Sequence, residues 1–383
     1  MKPAIIAVGY NRPDALERLL DSVNRAVYDD DDVTLIISLD KASNESEVVA
    51  AAEKIEWMHG KKIIRTFPQR QGLRKHIISC GDLTEEYGAV IILEDDLLVS
   101  PNFYRYTVQA LEFYKDNPKI AGVSLYTHEW NGYARKNFTP IADEYDGFLG
   151  QIGVSWGQCW TASSWKEFKN WYTEHEDKLI ENFDIPYIIN NWSNQSWGKY
   201  FTTYIVEKDL YYVFARNALT TNYSDAGQHV KIPDNIYQVR LMQSDKKDYK
   251  FPKFEDALKY DIFFENMGLA QYFPEEIQKE GICMDLTGLE RHRYKQRYVL
   301  STRSMPYKIV KQFGLQLRPI EMNVIYNIPG DEICLYDTKF ASDKPKSKRF
   351  KVFRYEIRGF SSKEIFYYAK KLIITTIINK FKK

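Results

Sequence analysis

The chain has 383 residues, 44% of them hydrophobic and 27% charged, with a net charge of +1. That length allows two domains, or one large domain with an extension, and that charge balance excludes a general electrostatic footprint for nucleic acid. Cys80, Cys159, Cys283 and Cys334 are too scattered for a CxxC metal motif and suit a reducing cytosol, while the opening Met1-Lys2-Pro3 lacks a secretory-type leader and no run of about 18 apolar residues predicts a membrane span.

The first 126 residues alternate strand and helix. Ala4 to Val8 is a short apolar strand, and Asp14 can cap a helix whose Leu16, Leu19, Leu20 and Val23 follow helical spacing. Val33 to Leu39 reads as the second strand and ends in Asp40; Ser43 or Asn44 can cap a helix from Glu45 to Trp57. A third strand, Lys62 to Phe67, leads into a helix from about Gln71 to Tyr87. Ala89 to Leu93 is the fourth strand, Asn102 to Tyr114 a helix and Ile120 to Tyr126 a fifth strand. Repeated βα units of this size imply a mostly parallel sheet covered by helices on both faces.

From about Asp143 to His229 the texture becomes loop-rich, with Gly150, Gly153 and Gly157 among Trp156, Trp160 and Trp165. Helices are expected at Ser163 to Glu176 and after Asn191 to Trp197. The expected organisation is a nucleotide-binding α/β domain over 1–235, with halves of about 1–126 and 127–235. An accessory region of 236–340 and a basic linker with an amphipathic C-terminal helix over 341–383 follow. The 28 Tyr, 21 Phe and 8 Trp suit a large core first and carbohydrate stacking second.

Chemistry concentrates at Glu94-Asp95-Asp96, directly after the fourth apolar strand. Three like charges at a strand end repel and need solvent or a cation. A hard divalent ion with a phosphate-bearing ligand would satisfy them, and in open α/β sheets ligands bind outside the carboxyl ends of the strands. The bland reading is an acidic loop before the next helix. Asp40 also ends a strand; it could accept from a base or ribose, or simply begin a turn. Asn11 and Arg12 follow the first strand, where Arg12 could pair with phosphate or stack on a base, or stay solvated before Pro13. That turn lacks GxGxxG, which argues against a dinucleotide-binding dehydrogenase. Gly72 permits close backbone approach at a helix start, and Arg74 or Lys75 could reach a diphosphate. Asp225 and His229 flank Gly227; His229 could complete a metal shell and Asp225 serve as a base, or both could belong to a polar turn. In the tail, lysines surround Ile365, Phe366, Leu372, Ile373, Ile377, Ile378 and Phe381, a pattern for an anionic membrane face or for docking on protein.

Together, Ile6-Ala7-Val8-Gly9-Tyr10-Asn11-Arg12, Ile36-Ile37-Ser38-Leu39-Asp40, Leu93-Glu94-Asp95-Asp96-Leu97 and Val99-Ser100-Pro101-Asn102-Phe103 resemble nucleotide-sugar-dependent glycosyltransferases of the GT-A fold. The likeness is to bacterial family 2-type polysaccharide glycosyltransferases and to the animal N-acetylglucosaminyltransferase that initiates complex N-glycans, over roughly residues 3–230. It implies a Rossmann-like, mostly parallel sheet flanked by helices. It also implies an inverting enzyme of capsule, lipopolysaccharide or exopolysaccharide synthesis, with Mn²⁺ or Mg²⁺ and a UDP-sugar as the commonest donor. The acceptor would be a glycan or lipid-linked glycan, the location cytoplasmic or peripheral on the inner membrane face, and an oligomer is allowed. Asp96 would bind the metal, Asp95 approach the ribose, Glu94 the transferred sugar, and Asp40, Asn11 and Arg12 the nucleotide. Trp156, Gly157, Trp160 and Trp197 would line the sugar and acceptor wall. Ser196 falls where the animal enzyme carries its catalytic carboxylate, so the base must come from elsewhere, Asp225 first and Asp184 second. A sugar nucleotidyltransferase, or an inactive sugar-binding scaffold, are the competing readings.

Overall fold

Strand β1 (Ala4–Gly9) is buried at every position. Its alternate residues serve two cores: Ile5 and Ala7 pack with Leu16 and Leu19 of helix α1 (Pro13–Asn24), and Ala4, Ile6 and Val8 pack with Ile77 and Ile78 of the helix Leu73–Gly81. Burial on both faces is why these strands read as continuous apolar runs rather than alternating ones. The computed structural model describes residues 1–29, 32–176, 178, 180, 182, 184–225, 235–289, 295–357 and 359–381, with side chains of the last helix described to Thr375. They fall into two units, Met1–Gly268 with Leu289, and Leu269–Gly288 with residues 295 onward.

The first unit is built on a nine-stranded sheet. Strands β2 (Leu35–Leu39) and β3 (Lys62–Thr66) lie parallel outside β1, and β4 (Ala89–Glu94) lies parallel on its other side. Gln158–Thr161 runs antiparallel between β4 and Ile120–Ser124. Tyr211–Ala215, Gly147–Gly150 and Lys259–Tyr260 complete the far edge. The expected mostly parallel, helix-covered sheet is the observed one. The unit runs past residue 235 to Gly268, because Lys259–Tyr260 adds to the sheet and Phe251 is buried against Tyr106.

Two local differences shape the site. The expected helix over 71–87 begins only at Leu73, after Gly72 at φ +74°, and breaks before Thr84–Tyr87. At the break the Asp82 carboxylate accepts Trp165 Nε1–H (2.9 Å) and Lys169 Nζ–H (2.7 Å), so the side chain serves the neighbouring helix Ala162–His175. The second is an unanticipated strand, β5 (Leu97–Val99), two residues beyond β4; it pairs antiparallel with Thr220–Asn222.

The second unit is a four-stranded sheet in the order Ile282–Asp285, Tyr298–Ser301, Ile333–Ala341, Tyr307–Phe313. Leu300, Phe313, Ile333 and Leu335 supply one apolar cluster, and Val299, Cys334 and Tyr336 another. Its last helix, Ser362–Phe381, carries Phe366 at 72% and Leu372 at 70% exposure. Apolar residues there sit all round the helix instead of along one stripe, since Leu372 and Ile374, about 200° apart at 3.6 residues per turn, are both exposed. Among the described residues no helix is long and apolar enough to cross a membrane.

Candidate active site

The carboxyl ends of β1, β2, β3 and β4 form one edge of the sheet, and the chain places its charged residues there. Asn11 is exposed after β1, and its carbonyl accepts from Asn44 Nδ2 at 3.2 Å. Arg12 is the N-cap of α1, with Pro13 as the first helical residue, where the missing N–H costs nothing. Asp40 is 4% exposed. Its Oδ1 accepts the backbone N–H groups of Lys41 (2.9 Å) and Gln71 (2.7 Å), and its Oδ2 accepts that of Gly72 (2.9 Å). The carboxylate thus ties the loop before Leu73 to the end of β2. Gly72 can meet it because its left-handed backbone costs a glycine little.

Asp95 and Asp96 make the turn between β4 and β5, and Arg12 pairs with both: Nη2 bonds Asp95 Oδ1 and lies 3.8 Å from Asp96 Oδ2, and Nε lies 3.3 Å from Asp95 Oδ2. Burial pushes the Asp95 carboxyl up to about 6, with Arg12 opposing and Asp96 and Asp225 adding repulsion. Burial raises Asp96 as well, and Glu94 well above the usual carboxylate range, with Asp96 and Asp95 adding to the latter. Glu94 Oε1 and Asp96 Oδ1 are sealed from solvent without a hydrogen-bond partner.

Asp225 reaches this group through the β5 ribbon. Val99 N–H donates to Ser22 Oγ of α1 (3.2 Å), Thr220–Asn222 pairs with β5, and Tyr223 N–H donates to the Asp96 carbonyl (2.7 Å). Arg18 of α1 then pairs with Asp225 and lies 3.6 Å over the Tyr223 ring. Arg18, Asn222 and Tyr223 escape a reading by motif. Arg18 looks like any solvated position on a helix, and the strand pairing that recruits the other two has no local signature.

The remaining expected residues sort differently. His229 lies outside the described residues. Asp184 is exposed in a turn in which its N–H donates to Asn182 Oδ1 (2.7 Å). Arg74 does not face the acids: Nη1 donates to the carbonyls of Glu176 (3.1 Å) and Asn194 (3.0 Å) and to the Tyr200 hydroxyl (3.1 Å), fastening the Leu73–Gly81 helix to its neighbours. Trp160 and Trp197 are core residues rather than a sugar wall. Trp160 is 0% exposed and donates Nε1–H to the Tyr212 hydroxyl (2.7 Å), and Trp197 packs edge-on against it. Trp156 is half-buried beside Tyr126 and Tyr237, and its carbonyl accepts Thr220 Oγ1–H at 2.5 Å. Gly157 next to it has φ +97°, and a Cβ there would lie 2.8 Å from Thr220 Cγ2.

The orphaned oxygens test the fit of a metal. Buried carboxyl oxygens without donors are relieved by protonation, the direction in which burial drives Glu94 and Asp96, or by a cation, and an all-oxygen set suits Mg²⁺ or Mn²⁺, which one or two carboxylates and ligand phosphates commonly share. Among the described residues no three His, Cys, Asp or Glu side chains converge on a metal position. A single carboxylate such as that of Asp96 would need a bound diphosphate to complete the shell of such an ion.

Residues 4–174 match the family model described as Glycosyl transferase family 2. No curated protein sequence matches the chain. Among solved structures, residues 1–349 of TarS from S. aureus align at 10% identity and TM-score 0.38 over 58% of this chain and 61% of that one. The mannosyltransferase PcManGT from Pyrobaculum calidifontis, in complex with GDP-Man and Mn²⁺, aligns at 11% and 0.34 over 56% and 57%. Mouse xyloside xylosyltransferase 1 aligns at 14% and 0.32 over 55% and 84%. The chain thus spans less than two thirds of the first two.

Proposed function

We propose that the chain, whose residues 4–174 match the Glycosyl transferase family 2 model, is a glycosyltransferase, and an inverting, divalent-metal-assisted one. In this reading a sugar passes from a nucleoside diphosphate, uridine being the first base to try, to a hydroxyl of a growing surface polysaccharide or lipid-linked glycan. The observation that carries the reading is the pair of sealed, partnerless oxygens, Glu94 Oε1 and Asp96 Oδ1, at the sheet edge beside Arg12.

Asp96 would hold Mn²⁺ or Mg²⁺, and the ion would supply Lewis-acid stabilisation of the leaving diphosphate. Arg12, already poised beside two carboxylates, would add positive charge where the leaving group develops negative charge. Asp225 would take the proton of the attacking hydroxyl, and attack on the anomeric carbon from the face opposite the leaving diphosphate would invert the configuration. The loop fixed by Asp40 would form the floor on the nucleotide side. Residues 341–383 carry thirteen Lys and Arg against three Asp and Glu, so the rest of the chain is net negative. That polarity supports placing the tail on an anionic membrane surface, near a lipid-linked acceptor.

The test is release of free nucleoside diphosphate from a panel of nucleotide sugars with Mn²⁺, with Asp96→Ala as control. Release from one donor, abolished in the variant, is expected. Undiminished release by Asp96→Ala would remove the metal assignment, and release of pyrophosphate instead would mean a nucleotidyltransferase.

A further inference from the structure

Arg12 and Arg18 each neutralise part of one acidic group. Arg12 pairs with Asp95 beside Asp96, and Arg18 pairs with Asp225, which is close enough to raise both of those aspartates. Four polar atoms around this group are sealed and without partners: Glu94 Oε1, Asp96 Oδ1, Arg18 Nε and Ser224 Oγ. Two are carboxyl oxygens, which a cation would satisfy. Arg18 Nε can only donate, and the Ser224 hydroxyl can donate as well. A metal–diphosphate pair offers a cation and several acceptor oxygens at once. A single carboxylate or a bare metal ion offers only one half.

Resting on the transferase reading above, we infer that Arg18 is an exchangeable counter-ion for the donor diphosphate. Without ligand it neutralises Asp225, stacks on Tyr223 and so clips the 222–225 segment to α1. When a diphosphate enters, the guanidinium turns its fork, with the unused Nε–H, to the phosphate oxygens, which carry more charge than a carboxylate and match the fork geometry. Asp225 is then unpaired and free to take the proton of the acceptor hydroxyl. The base is masked until donor is present, so donor binding precedes acceptor activation. Arg18 is a positioning residue for Asp225 in one state and a ligand of the leaving group in the other.

Exchange makes an unusual demand on the two partners of one ion pair. If the pair were only a structural tie, removing either side would act in the same direction. Exchange requires opposite directions. The measurement is calorimetric binding of Mn²⁺–pyrophosphate to the full chain at fixed ionic strength, with thermal midpoints confirming folded protein. Arg18→Gln should weaken binding by about tenfold or more, as expected for loss of a charge-assisted contact, and Arg18→Lys should fall between it and the wild type. Asp225→Asn should tighten binding, and that gain should vanish when Arg18→Gln is added. Weakening by both single substitutions, no change in either, or a gain from Asp225→Asn that survives without Arg18 would each overturn the exchange. The last outcome would mean simple removal of negative charge. Failure of the wild type to bind Mn²⁺–pyrophosphate, UDP or GDP would instead remove the transferase reading itself, and this inference with it. The lysine variant keeps the test open should the glutamine variant fail to fold.

Discussion

Asp40→Asn separates two roles that the position of Asp40 allows, loop anchor and nucleotide ligand. In the folded chain Oδ1 accepts two backbone N–H groups and Oδ2 one, all at 2.7–2.9 Å. Asparagine can place its oxygen at the Oδ1 position and keep two bonds, now neutral and roughly half as strong. Its NH₂ then meets the Gly72 N–H, donor against donor, in a site where the native side chain is 4% exposed. One lost bond with an orphaned buried donor costs about 1–3 kcal/mol, and weakening the other two adds about 1 kcal/mol. The expected loss is therefore about 2–4 kcal/mol. For a unit of this size each kcal/mol lowers the midpoint by about 2–4 °C, so the drop should be roughly 4–16 °C. Urea and thermal unfolding of the full chain, followed by tryptophan fluorescence, measure it. A variant within about 0.5 kcal/mol of wild type that has nonetheless lost nucleotide binding would refute the anchoring argument and give Asp40 to the ligand.

His76 is buried with its Nε2 2.8 Å from Ser38 Oγ, and burial lowers its pKa to about 4. The unfolded chain binds that proton at about 6.5, so stability is full above that pH and falls by roughly 3 kcal/mol as the pH drops toward 4. His76→Gln should flatten this acid limb, and an unchanged slope would locate the effect elsewhere. Gly157→Ala combines positive φ with a Cβ 2.8 Å from Thr220 Cγ2; a loss of about 1–3 kcal/mol is expected, partly restored by Thr220→Ser, and a neutral result would contradict the close approach. Trp160→Phe leaves the buried Tyr212 hydroxyl without its donor and should cost about 1–3 kcal/mol while the KM for nucleotide sugar holds steady. A raised KM in a protein of wild-type stability would return Trp160 to the substrate wall. The full chain should sediment with vesicles containing anionic lipid and not with neutral ones, and high salt should release it; equal binding to both would leave the lysines of the tail without a role.

Strands β1, β2 and β4 were legible because burial on both faces makes each a nearly unbroken apolar run, and observed boundaries of all four fall within a few residues of those read from sequence. Glu94 to Asp96 stood out for the same reason, as charge where an apolar run stops. What escaped depends on contacts between distant segments. Asp40 and a solvated turn aspartate look alike until Gln71 and Gly72 come round to meet it. Trp160 and a sugar-stacking tryptophan look alike until Tyr212 supplies an acceptor inside the core. Arg74 sits in a basic run that suggests phosphate, yet its partners are two carbonyls and a hydroxyl about a hundred residues or more along the chain. Asp82 follows the end of a helix that its local pattern would have continued, and its carboxylate serves Trp165 and Lys169 of a neighbouring helix.

The pairing of Leu97–Val99 with Thr220–Asn222 also sets an order of events during synthesis. The acidic turn leaves the ribosome well before the strand that will brace it. At about 5–20 residues per second, the roughly 120 intervening residues take roughly 6–25 s to make. For that interval the β1–β4 half holds Glu94, Asp95 and Asp96 with only Arg12 beside them. The carboxylates then remain open to water, where ionisation is cheap, and their desolvation waits for the late strand. Closing a loop of such length is entropically slow. Completion of the acidic site therefore waits on residues up to Asn222, and a nascent chain stalled short of Asn222 should have the nucleotide-side sheet without the closed acidic centre.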